Sequence, residues 1–126
     1  MAVVLVVNDD RDLLETYAEA LRAMGHEPVT KEAIVAGPEM VRQVGADALL
    51  VDLQAPDEDE FGLRVIQEVR EDPEIGDLPI ILATGATNDL GSLHERLEAL
   101  EIPVLIKPFP ISALEEKLQA VLIKSE

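Results

Sequence analysis

Five times along this chain a short strand-like run gives way to a stretch with helical apolar spacing, and that alternation constrains the fold more than any other feature. The runs are Ala2–Val7, a weaker one over Glu27–Lys31, then Ala48–Val51, Pro79–Ala83 and Pro103–Ile106. Continuous β-branched runs of this length suit strands covered on both faces, as in parallel sheets. After the first run, Leu13, Leu14, Tyr17, Leu21 and Met24 recur at three- and four-residue steps, and Gly25 follows as a helix stop. Met40, Val41 and Val44 mark a second, short helix, and Leu63, Ile66 and Val69 a third. Leu90, Leu93, Leu97 and Leu100 line a fourth, while Ile111, Leu114, Leu118, Val121 and Leu122 form the inward face of a fifth. Five βα units with short connections predict an α/β fold: one open, doubly wound parallel sheet with helices on both faces.

The length suits one domain, residues 1–126, and no linker or repeat divides it. Aromatic residues are 2% of the chain, so the core is built from aliphatic side chains. With 10 basic and 26 acidic residues the formal charge is −16, which leaves too few cations for the basic face that nucleic acid or an anionic membrane requires. No apolar run approaches the ~18 residues of a membrane span, and the first residues lack the basic start of a signal peptide. There is no cysteine, hence no disulfide and no thiolate metal site. A soluble, cytoplasmic protein is the expectation.

In doubly wound sheets, ligands bind outside the carboxyl ends of the strands, where strand order reverses. The residues there are Asn8, Asp9 and Asp10 after the first strand, Asp52 after the third, Thr84 after the fourth and Lys107 after the fifth. Close carboxylates repel unless a cation sits between them, and Mg²⁺, which prefers oxygen ligands and keeps several waters, is such a cation. A phosphoryl group beside it would find its remaining charge met by Lys107 and a hydrogen bond from Thr84. Such positioning and neutralisation are the main part of phosphoryl-transfer catalysis, and a carboxylate can itself be the acceptor. Asp9, Asp10, Asp12, Asp52 and Asp57–Glu60 place eight of the 26 acids at or near this rim.

Four segments carry a resemblance that runs the length of the chain: VLVVNDD at Val4–Asp10, ADALLVD at Ala46–Asp52, LPIILATG at Leu78–Gly85 and IKPF at Ile106–Phe109. In this order they resemble the receiver domains of two-component response regulators. The resemblance implies a flavodoxin-like strand order, 2-1-3-4-5. It implies that Asp52 accepts a phosphoryl group from a sensor histidine kinase or phosphotransfer protein. Asp9, Asp52 and the backbone carbonyl of Gln54 would ligate Mg²⁺, with Asn8 acting more weakly through water. Thr84 and Lys107 would bind the phosphoryl oxygens, and the Lys107–Pro108 bond would be cis. The chemistry is then self-phosphorylation and slow self-hydrolysis, not conventional enzyme turnover. Output is a contact with another protein, or with a second copy through the face of the fourth helix, fifth strand and fifth helix.

Three departures from the family pattern stand out. Asn8 occupies the place of the usual first acidic residue, which predicts weaker Mg²⁺ binding. Matching Gly62 to the family's glycine makes the loop after Asp52 two residues longer than usual, with the insertion in the acidic stretch Asp57–Glu60. Val104 stands where many receivers carry a Tyr or Phe that swings inward on activation. Asn8 and Val104 favour an alternative, a degenerate receiver that binds proteins without phosphate. An aspartate-nucleophile phosphatase is opposed by Gln54, since such enzymes place a general-acid Asp two residues after the nucleophile. Asp10 is expected to cap the first helix, Asp12 to lie in its first turn, and His26 and His94 to sit exposed on a turn and a helix.

Overall fold

The aliphatic runs become strands because helices bury them from both sides. The computed structural model describes residues 2–32, 37–53, 60–85, 91–107 and 109–125. Among these residues the chain alternates strand and helix throughout: β1 (Val3–Val7), α1 (Arg11–Ala23), β2 (Glu27–Lys31), α2 (Pro38–Val44), β3 (Ala48–Asp52), α3 (Phe61–Glu71), β4 (Ile80–Thr84), α4 (Gly91–Ala99), β5 (Val104–Ile106) and α5 (Ile111–Ser125). The sheet is parallel, in the order β2-β1-β3-β4-β5.

Alternation along each strand splits the core in two. Leu5, Val7, Leu49, Val51, Ile80 and Leu82 face α2, α3 and α4 through Val41, Ile66, Val69 and Leu97. Val4, Val6, Leu50, Ile81, Ala83 and Leu105 face α1 and α5 through Leu14, Tyr17, Leu21, Leu114 and Leu118. Edge strand β2 keeps Glu27, Thr30 and Lys31 exposed and tolerates Pro28, which is why it is the weakest run in the sequence.

Helix α1 has both ends fixed by local chemistry. Asp10 Oδ1 accepts hydrogen bonds from the N–H groups of Asp12 (2.9 Å) and Leu13 (3.2 Å), satisfying donors that the helix cannot. At the other end Gly25 takes φ +89°, while Gly25 N–H donates to Arg22 C=O and His26 N–H to Leu21 C=O, closing the helix in a left-handed turn.

Two expectations are corrected. His26 is half-buried rather than exposed, because its Nδ1 accepts the N–H of Ala2 (3.1 Å), a donor just ahead of β1. Ile111 does not face inward but is 41% exposed. It is the first residue of α5, at the rim where the strands have already ended, and the buried stripe begins at Leu114. On α4, Leu97 is buried and Leu100, just past it, half-buried. Leu90 and the side chains of Leu93 and His94 lie outside what is described. No helix among the described residues is long and apolar enough to cross a membrane.

Candidate functional site

Register brings the site together. Val7 of β1 is paired with Val51 of β3, so the next residues, Asn8 and Asp52, are neighbours at the rim. Asp52 pairs with Ala83, one residue before Thr84, and Thr84 pairs with Ile106, one residue before Lys107. Four strand ends thus deliver an amide, a carboxylate, a hydroxyl and an ammonium to one edge.

The contacts among them are specific. Lys107 Nζ pairs with Asp52 Oδ2, and Asn8 Nδ2 donates to that same oxygen at 3.1 Å. The Asp52 side chain is 14% exposed and that of Lys107 22%, so water screens this pair only partly. Asn8 is itself buried, and its Oδ1 accepts the N–H of Asp10 at 2.8 Å. That second bond fixes which end of the amide faces Asp52. Thr84 is fully buried, and its carbonyl accepts the N–H of Lys107 at 2.8 Å. Asp9 is exposed beside Asn8, and Val104 is half-buried against the core on the side of the sheet that α2, α3 and α4 cover.

Gly62 is the packing residue behind the phosphoacceptor candidate. A Cβ there would lie 2.5 Å from Asp52 C=O, 2.8 Å from Leu53 Cα and 2.8 Å from Leu82 Cδ1. Its N–H donates to Leu53 C=O at 2.8 Å. The second residue of α3 therefore sits directly on the end of β3, and Leu63, Ile66 and Val69 fall on the buried face. Of the acidic stretch after Asp52, Glu60 is described, within 4.0 Å of Arg96. Gln54, Asp57–Asp59 and Pro108 lie outside the described residues.

Tyr17 and Phe109 belong to this neighbourhood, although spacing marked Tyr17 as core alone. Their rings are stacked, with centroids 6.0 Å apart and planes 7° from parallel. Burial, then the charges of Asp52 and Asp10, push the Tyr17 phenol up to about 12 from an ordinary 10.0. Tyr17 is the single tyrosine, so its ionisation can be followed by absorbance. The folded protein is expected to titrate near 12 and to lose stability as pH rises from 10 towards 12, because the unfolded chain gives up the phenolic proton first. A midpoint at 10.0 with the fold intact would mean that the ring is open to water.

A hard cation would meet oxygen donors here. Mg²⁺ is commonly held by one or two carboxylates plus waters, and Asp9 and Asp52 supply two, one exposed and one largely covered. Asn8 presents an N–H donor, not an oxygen, towards Asp52. The described residues contain no group of three or more acidic or histidine side chains disposed to hold a metal. The donor set fits a weakly held, largely hydrated Mg²⁺.

Known proteins resemble this chain in the same terms. A family model described as the response regulator receiver domain matches residues 4–119. The response regulator MprA of Mycobacterium ulcerans is 30% identical over 98% of this chain, which spans 51% of that protein. A chemotaxis protein CheY homolog of Campylobacter jejuni is 28% identical over 94% of this chain and 90% of its own length. Among solved structures, the chemotaxis protein CheY4 of Vibrio cholerae superposes with a TM-score of 0.78 at 25% identity, covering 96% of this chain and 98% of its own.

Proposed function

This chain belongs to the response regulator receiver domain family, and from that premise we propose that it takes a phosphoryl group onto Asp52 from a sensor histidine kinase or phosphotransfer protein, with Mg²⁺, and thereby switches a protein contact. The observation that carries this reading is the Asp52 carboxylate at the switch point of the sheet, paired with Lys107 and hydrogen-bonded by Asn8, with Thr84 on the neighbouring strand. In the step itself, an Asp52 oxygen bonds to phosphorus while the donor's P–N bond breaks, its electron pair staying on the imidazole. Lys107 balances charge on the phosphoryl oxygens, and the Thr84 hydroxyl donates to one of them. Asp9 and Asp52 would hold the metal, which when bound neutralises charge developing on the transferred group. Hydrolysis by water later returns the Asp52 carboxylate. The output contact falls on the face of α4, β5 and α5, where Ile106 and Ile111 are exposed and which a second copy could equally cover.

Incubation with Mg²⁺ and acetyl phosphate is expected to add one phosphoryl group to the intact mass, and Asp52→Asn is expected to abolish that gain. Asn8 and Val104 favour the second reading, a degenerate receiver. A folded parent protein that gains no mass and binds no beryllofluoride would establish that reading in place of the first.

A further inference from the structure

Strand β5 is three residues long and lies at the sheet edge, and Ile106 at its end is 42% exposed. Short edge segments open more readily than central ones, yet Lys107, directly after β5, has to keep its ammonium on Asp52. Two holding points are plain: the Lys107 N–H on Thr84 C=O and the Nζ on Asp52 Oδ2. A third lies two positions further on, where Phe109 stacks on Tyr17 of α1. Tyr17 is 5% exposed and shares a core with Leu14, Leu114 and Leu118, so the ring is a firm anchor. Helix α1 in turn is tied back to the site, because Asp10, its cap, donates to Asn8 Oδ1 while Asn8 Nδ2 donates to Asp52. The contacts close a ring from Asp52 through Lys107, Phe109, Tyr17 and Asn8 to Asp52 again.

We propose that Tyr17 is a positioning residue for Lys107: through its stack on Phe109 it fixes the segment that aims the lysine, and it carries the state of Asp52 to α1. The inference rests on Asp52 being the phosphoacceptor. Val104 has no ring to respond on β5, and the Tyr17–Phe109 pair provides an aromatic contact on the other face of the sheet. When Asp52 gains a phosphoryl group, the partner of the ammonium becomes bulkier and more negative. Lys107 shifts to meet it, and Phe109 moves with the same stretch of backbone.

Because there is one Tyr and no Trp, tyrosine emission reports Tyr17 alone. Beryllofluoride with Mg²⁺ is the probe, and fluorine NMR follows its binding independently. Emission is expected to change when beryllofluoride binds the parent protein, and Phe109→Leu is expected to bind it while losing most of that change. Bound beryllofluoride with unchanged emission overturns the proposal and leaves Asp52 as phosphoacceptor. No binding at all overturns both.

Rates with acetyl phosphate, read by intact mass, test the positioning. Tyr17→Leu is expected to slow phosphorylation about tenfold and Tyr17→Phe to restore it. In a Lys107→Ala background, Tyr17→Leu is expected to have no further effect. A parent-like rate in folded Tyr17→Leu, or a loss that persists without Lys107, rejects the role. Should Tyr17→Leu fail to fold, Phe109→Leu is read in the same way.

Discussion

Asn8→Asp is expected to lower stability by about 3 kcal/mol without divalent cations and to raise Mg²⁺ affinity about tenfold or more. In the parent, Asn8 donates to Asp52 from a buried position. The variant removes that donor and sets a second carboxylate against the first in a site that water reaches only partly. Lys107 offsets one negative charge and not two. Repulsion would raise the new carboxyl's pKa, so the loss should shrink as pH falls and the group protonates. Mg²⁺ would restore stability by binding the folded state alone. Thermal unfolding with and without Mg²⁺, repeated at two pH values, checks all three expectations. A metal-free variant as stable as its parent would show that Asn8 and Asp52 are not coupled.

The second large effect is expected from Gly62→Ala. In an ordinary helix that change is favourable by about 1 kcal/mol, since alanine is the better helix former. Here the added methyl would meet Asp52 C=O at 2.5 Å and Leu53 Cα at 2.8 Å. Both atoms belong to backbone at the end of a central strand and cannot turn aside. Overpacking of this kind costs about 3 kcal/mol, so a net loss of about 2 kcal/mol is expected. For a chain of this size that is a melting temperature lower by about 8 °C. The displaced atom is Asp52's own carbonyl, so phosphorylation should slow as well. A variant more stable than the parent would mean that α3 sits further from β3 than described.

The strands were legible in the sequence because both of their faces are buried, leaving Val4–Val7 and Leu49–Val51 without polar interruption. The meeting of Asn8, Asp52, Thr84 and Lys107 was legible too, because parallel strands place their carboxyl ends along one edge. Gly62 could be placed because only that match kept Leu63, Ile66 and Val69 on the buried face. What spacing could not show was which atoms meet. The orientation of the Asn8 amide depends on the Asp10 N–H, a tertiary detail. Periodicity put Tyr17 on the inner face of α1 without saying that Phe109 and the strand ends lay above it. His26 and Ile111 were misjudged because their surroundings are the ends of elements, where periodicity lapses.

One consequence follows from the single oxygen of Asp52 that Lys107 and Asn8 share. The resting pair is already charge-balanced, with one carboxylate, one ammonium and a neutral amide. This carboxylate therefore has its counter-charge within the fold, and under the proposed function the part left to the metal is the transfer of the phosphoryl group. On that proposal, the supply of magnesium sets how readily the protein responds, while the Asp52–Lys107 pair holds without it.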